Sequence, residues 1–103
     1  MGTYDPTYQV QDAAKSVRTV AQDLADGKAE WDRPRDLAKT LEWIQALTDD
    51  VSRILLQQAG ALPRMTTDSD APEAGQRIAE AAATAAQLGN QIRRAHQVAE
   101  TVR

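Results

Sequence analysis

The sequence predicts an all-α fold, a three-helix up-down-up antiparallel bundle with a long Ala-rich third helix. Three stretches carry apolar residues at heptad spacing, and a helix turns once per 3.6 residues, so each series lies on one helical face. The three series are Val10, Ala13, Val17, Val20 and Leu24; Leu37, Leu41, Ile44, Leu47, Val51, Ile54 and Leu55; and Ile78, Ala81, Ala85, Leu88, Ile92, Ala95, Ala99 and Val102.

Composition agrees with this class. The 103 residues suit a single helical domain over 1–103, and the chain has no Phe, two Trp and two Tyr. Strands favour aromatic and β-branched residues, so a sandwich or barrel is disfavoured. The absence of Cys excludes disulfides, thiolate metal sites and cysteine nucleophiles. The stretch at the start is not apolar enough for a signal peptide, so we expect a cytoplasmic protein without membrane contact.

The first helix is predicted over about 5–26. Asp5 is a good N-cap residue, and Pro6 then occupies the first helical position, where its missing N–H has no cost. Gly27 supplies a left-handed stop.

The second helix is predicted over about 33–59. Pro34 lies in its first turn, Gly60 ends it, and Pro63 prevents it from resuming. Residues 61–70 then form a polar loop.

The third helix is predicted over about 71–102. Asp70 and Glu73 have the spacing of a capping box. The third series is mostly Ala and the second mostly Leu, Ile and Val, so small side chains can pack against large ones. Short connections between successive helices predict antiparallel neighbours.

Residues with chemical potential do not converge on a catalytic or metal site. His96 is the single histidine and is expected at the surface near a helix C-terminus. Asp49 and Asp50 are adjacent, so they point about 100° apart. The sequence Asp68-Ser69-Asp70 lacks the Gly and Glu that an EF-hand loop needs. We therefore predict no enzyme activity and no cofactor.

The function predicted is a non-enzymatic helical protein-interaction module, either self-associating or a small subunit or adaptor of a larger assembly. Tryptophan is common in interface hot spots, although both tryptophans would equally suit the end of the bundle core. Leu56 lies off the apolar series of the second helix, whereas Leu88 and Ile92 belong to the series of the third helix. The candidate partner-interface residues are Trp31, Trp43, Leu56, Leu88 and Ile92.

The alternative function is a small DNA-associated factor. Residues 76–103 hold four basic and two acidic residues, and Arg93, Arg94 and Arg103 would contact nucleic acid. Gly89 could mark the turn of a helix-turn-helix motif, but the seven-residue phase continues through it and favours one continuous helix.

One short pattern resembles a known signal. Tyr8 and Asp12 match the Tyr-x-x-x-Asp pattern of substrates of the type VII secretion pathway, which are helical proteins of about this length. Those proteins carry Trp-x-Gly between two helices, whereas Arg33 and Gln45 stand at the glycine positions here. We assign no family from this pattern.

Overall fold

A computed structural model describes residues 2–103 and contains three α-helices. They are α1 (Thr7–Ala25), α2 (Pro34–Met65) and α3 (Ala71–Ala99). The chain is 78% helical and has no strand among the described residues, which confirms the predicted all-α class. The chain divides into two compact units, one that ends at Trp31 and one of Asp32–Arg103. Each is described by itself, and the single domain over 1–103 stays a prediction.

Helix α1 begins two residues later than predicted. The Asp5 carboxylate accepts hydrogen bonds from the Thr7 backbone N–H (2.9 Å) and the Thr7 hydroxyl (2.6 Å). Pro6 is the N-cap and makes no side-chain cap bond. Asp5 therefore forms a turn that precedes the helix rather than the cap itself.

The C-terminal end of α1 is the predicted glycine stop. Gly27 has φ 74°, a left-handed conformation that glycine adopts without steric cost. The Lys28 N–H donates to the Asp23 carbonyl and the Gly27 N–H to the Leu24 carbonyl, which is the Schellman pattern. No α1 residue is buried, and Val10, Val17 and Val20 are exposed.

Helix α2 is longer than predicted, because neither Gly60 nor Pro63 ends it. The helix continues to Met65. A glycine and a proline inside a helix cost about 1 and about 3 kcal/mol, respectively. Continuation keeps Ala61 and Leu62 half-buried against the rest of the chain, and this packing offsets the unfavourable propensities.

The connection to α3 is correspondingly short, covering residues 66–70 rather than 61–70. The predicted capping box does not form, since Asp70 makes no side-chain cap bond and Glu73 lies 3.9 Å from Arg77 instead. The Asp68 carboxylate accepts the Asp70 N–H at 2.8 Å, so the turn is stabilised two residues earlier. Helix α3 ends at Ala99, slightly before the predicted 102, and passes unbroken through Gly89.

Helices α2 and α3 pack side by side as an antiparallel hairpin, as predicted for successive helices. The buried Ser52 hydroxyl donates to the Ala82 carbonyl at 2.8 Å. Asp49 lies beside Gly89, and Ala59 lies beside Gly75. Along these contacts the residue numbers of α2 increase while those of α3 decrease, so the two helices run antiparallel.

Two glycines offer a matched stability test. A Cβ at Gly60 would meet open space, whereas one at Gly75 would lie 3.0 Å from the Ala59 carbonyl oxygen and 3.4 Å from Pro63. We expect Gly60→Ala to raise the free energy of unfolding by about 0.5–1 kcal/mol through helix propensity. We expect Gly75→Ala to lower it, because a backbone oxygen cannot move aside as a flexible side chain does. Urea unfolding followed by circular dichroism measures both, and equal stabilisation by the two substitutions would contradict this packing.

The turn before α1 predicts a pH-dependent signal. The hydrogen bonds from the Thr7 hydroxyl and then the Thr7 N–H hold the pKa of Asp5 below its ordinary value of 3.8. The stabilisation is present above that ordinary pKa and is lost as the pH falls through the lowered one. We expect Thr7→Val to raise the Asp5 pKa, because it removes the hydroxyl donor and keeps the N–H. Carboxyl NMR titration of both proteins measures the shift.

Candidate interaction face

The contact between α2 and α3 follows a heptad pattern on both helices. We call it the seam, and its members are buried or half-buried residues seven apart in two series on each helix. On α2 they are Ala38, Gln45, Ser52 and Ala59 with Leu41, Thr48, Leu55 and Leu62; on α3 they are Gly75, Ala82, Gly89 and His96 with Ile78, Ala85, Ile92 and Ala99. This is the side-chain spacing of coiled-coil packing.

Small residues occupy the centre of the seam and bring the two backbones close. Ala82 is only 1% exposed, and Ala38 and Ser52 are buried. A Cβ at Gly89 would collide with the Asp49 carboxylate and lie 3.2 Å from the Thr48 hydroxyl. Among the described residues no large side chain is fully buried. The hairpin is therefore held by close approach rather than by enclosed large side chains.

A second set of aliphatic residues lies beside the seam and stays open to solvent. We call this surface the open face. Its α2 part shows five residues that are 37–42% exposed, and on α3 Leu88 is 47% exposed. Its members are Leu37, Ile44, Leu47, Val51 and Ile54 on α2, and Ala81, Leu88 and Ala95 on α3.

Both parts of the open face lie on one side of the hairpin. On α2, Leu37, Ile44 and Val51 each precede a seam residue by one position. On α3, Ala81 and Leu88 do the same. One residue is about 100° of rotation, and in an antiparallel pair an equal offset in sequence turns both helices toward the same side. The eight residues of the open face therefore lie on the same side, and none of them is charged; Arg77, which precedes the seam residue Ile78, lies at its border on α3.

The opposite side of the hairpin is polar. Lys39 and Glu42 pair at 3.1 Å, and Asp50 and Arg53 pair at 3.3 Å. All four side chains are more than half exposed, so each pair adds at most about 1 kcal/mol. The α2–α3 hairpin is thus amphipathic as a unit.

The predicted interface residues do not gather in one place. Leu88 belongs to the open face, and Ile92 is half-buried in the seam at its edge. Trp43 is 67% exposed and neighbours Leu47 one turn away, with the Lys39 ammonium 6.0 Å from its ring centroid. Leu56 is exposed on the other side of α2, and Trp31 is exposed in the unit that ends with it. Neither tryptophan is enclosed within its own unit, and their place at an interface stays a prediction.

His96 lies in a depression rather than in an open surface position. Its side chain is 15% exposed, and its Nε2 lies 3.0 Å from a Glu100 carboxylate oxygen. The depression has a volume of about 300 Å³ and is also lined by Arg35, Lys39 and Glu42. Charges of both signs surround the imidazole, and the lining residues include no Ser, Thr or Cys.

The acidic candidates have local structural roles. Asp49 is half-buried beside Gly89, whereas Asp50 is exposed and pairs with Arg53, so the two carboxylates diverge as their spacing predicts. Within residues 2–103, no three His, Cys, Asp or Glu side chains are arranged to hold a metal ion. No helix in this range has the length and apolar character needed to cross a membrane.

The arginines of the alternative function are spread over α3 and the residues after it. Arg93 donates to the Asn90 side-chain oxygen at 3.0 Å, and Arg94 and Arg103 are exposed. Because α3 is continuous through Gly89, the helix-turn-helix interpretation is wrong. Binding of DNA by these arginines stays an untested prediction.

Comparisons with protein-family models, with curated proteins and with solved structures find no match to this chain.

The apolar heptad series of the sequence do not include the centre of the seam. The apolar series contains Leu41, Leu55, Ile78, Ala85 and Ile92, which lie on the edge that the seam shares with the open face. The signal for the rest is a second heptad series of small residues, formed on α3 by Gly75, Ala82 and Gly89.

The seam predicts a sharp contrast between two neighbouring alanines. Ala82 faces Ser52 and is almost fully buried, whereas Ala83 is exposed. We expect Ala82→Leu to lower the free energy of unfolding by about 1–3 kcal/mol, because added methylene groups force the helices apart. Ala83→Leu should change it by less than about 0.5 kcal/mol. Chemical denaturation measures both, and equal effects would show that the seam lies elsewhere.

Proposed function

We propose that this protein is a non-enzymatic helical interaction module, and that the open face of the α2–α3 hairpin is where it associates. The proposed role is self-association or service as a small subunit or adaptor of a larger assembly. The observation that carries the proposal is the division of α2 into two faces. Small and polar residues make much of the intramolecular contact, together with Leu41, Leu55 and Leu62, and the five larger aliphatic residues of the open face remain accessible.

The energetic argument concerns these accessible residues. Fully burying a Leu, Ile or Val side chain contributes about 1.5–3 kcal/mol. The α2 residues of the open face are already more than half covered, so each would gain about 1 kcal/mol on association. They lie in one row with Leu88 opposite, and contiguous apolar surface of this kind marks sites of protein interaction.

The chemistry of the face also specifies the kind of partner. None of its eight residues is charged, whereas a phosphate backbone is bound mainly through Lys and Arg. The open face is the surface formed by two antiparallel helices side by side, and an apolar helix can pack in the groove between two such helices. A helical partner, either foreign or identical, is therefore favoured over nucleic acid.

A pair of adjacent charge substitutions tests the proposal. Leu47 lies on the open face, whereas Ala46 is exposed on the other side of α2. We expect Leu47→Glu to reduce recovery of the partner, whether a foreign protein or a second tagged copy, at least about tenfold, because a desolvated charge costs more than 1.4 kcal/mol. The measurement is quantitative co-purification from the native cells.

Ala46→Glu is the matched control, because it adds the same charge one residue away and should recover the partner as the unsubstituted chain does. Circular dichroism must show equal helicity for both variants, since neither residue belongs to the seam. Equal recovery with Leu47→Glu and Ala46→Glu would refute the open face as the binding surface.

A further inference from the structure

We infer that the open face is covered by the open face of a second copy of this chain, related by a two-fold axis parallel to the helices. In that arrangement α2 of one copy packs against α3 of its partner and a four-helix bundle results. The inference rests on the proposed function and names its partner. Three observations carry it: the sizes of the residues, the register of the hairpin and the area of the face.

The two halves of the open face are complementary in size. The α2 half is built of Leu, Ile and Val, whereas the α3 half presents Ala81 and Ala95, with Leu88 between them. A two-fold axis parallel to the helices places the large half on the partner's small half. A two-fold axis perpendicular to the helices would place the α2 half on the partner's α2 half and the α3 half on the partner's α3 half, and the contact between the two α3 halves would then leave gaps. Interdigitation of large and small side chains is what fills a helical core.

The register within the hairpin fixes the register between copies. Ser52 contacts Ala82, and Asp49 lies beside Gly89, so Val51 lies level with Ala85. Rotation about an axis parallel to the helices preserves these levels. Val51 therefore lies level with the partner's Ala85, which is on the edge that the seam shares with the open face, and Ile54 lies level with the partner's Ala81. A closed two-fold contact of this kind is the most common form of homo-oligomer.

The area is sufficient for a specific contact. From Leu37 to Ile54 the open face extends about 26 Å, at about 1.5 Å per residue. Two helices 8–10 Å apart make it about 20 Å wide. Each copy would then bury roughly 500 Å², or roughly 1,000 Å² in total, which reaches the lower limit for a specific interface.

Cysteine cross-linking tests the arrangement directly, because the chain has no Cys. Val51→Cys and Ala85→Cys are made in separate, differently tagged chains, then mixed and oxidised, so that any mixed disulfide joins two copies. The second pair is Ile54→Cys with Ala81→Cys. The control pair is Ala46→Cys with Asn90→Cys, two exposed positions that are level with each other on the polar side. Light scattering gives the solution mass of the chain without substitutions.

The expected result is a mass of about twice 11.2 kDa and mixed disulfides for both face pairs at least about tenfold faster than for the control pair. A chain that is monomeric up to about 100 μM would overturn the inference, as would faster joining of two Val51→Cys chains than of the mixed pair. If the chain is monomeric but Leu47→Glu still loses a partner from native cells, the inference fails and the proposed function stands. If Leu47→Glu recovers every partner as the unsubstituted chain does, both the inference and the proposed function fail.

Discussion

The close approach of α2 and α3 is the constraint on which the hairpin depends. Glycine or alanine stands at the points of nearest contact, and the Ser52 hydroxyl is buried against the Ala82 carbonyl. Two helices in such close contact leave room for small residues at the centre of the seam and for larger ones, such as Leu41 and Leu55, only at its edges. Two helices alone cannot cover the remaining large residues of α2, which lie to one side and are Leu37, Ile44, Leu47, Val51 and Ile54. The accessible apolar surface is a consequence of the tight seam.

The polar members of the seam give the hairpin a definite register. Sliding the helices by one turn would leave the Ser52 hydroxyl without its carbonyl acceptor, and a buried hydroxyl without a partner costs about 1–3 kcal/mol. It would also move Gly89 away from Asp49 and bring a side chain against that carboxylate. Apolar contacts alone distinguish registers poorly because they are not directional. Hydrogen bonding and sterics thus fix which open-face residues lie level with one another.

The existence, number and approximate bounds of the helices follow from the sequence, and their ends follow less well. Gly27 stops α1 because a left-handed residue closes the Schellman hydrogen bonds locally. Gly60 and Pro63 do not stop α2, because Ala61 and Leu62 gain contact with the rest of the chain when the helix continues. Local propensity decides the first case and tertiary packing the second. A single sequence does not reveal which of the two applies at a given glycine.

The face that packs is harder to predict than the helices themselves, and the reason is physical. Apolar periodicity identifies the largest hydrophobic residues, such as Ile44 and Leu88, yet the seam is centred on smaller ones. The apolar periodicity alone therefore predicts a packing direction midway between the seam and the open face. Some helices carry a heptad series of small residues next to a heptad series of larger ones. Such a helix has two apolar surfaces, one suited to a neighbouring helix at short distance and one to a neighbouring helix at larger distance. Gly75, Ala82 and Gly89 beside Ile78, Ala85 and Ile92 form such a pair of series, and a helix of this kind is built to pack on more than one side.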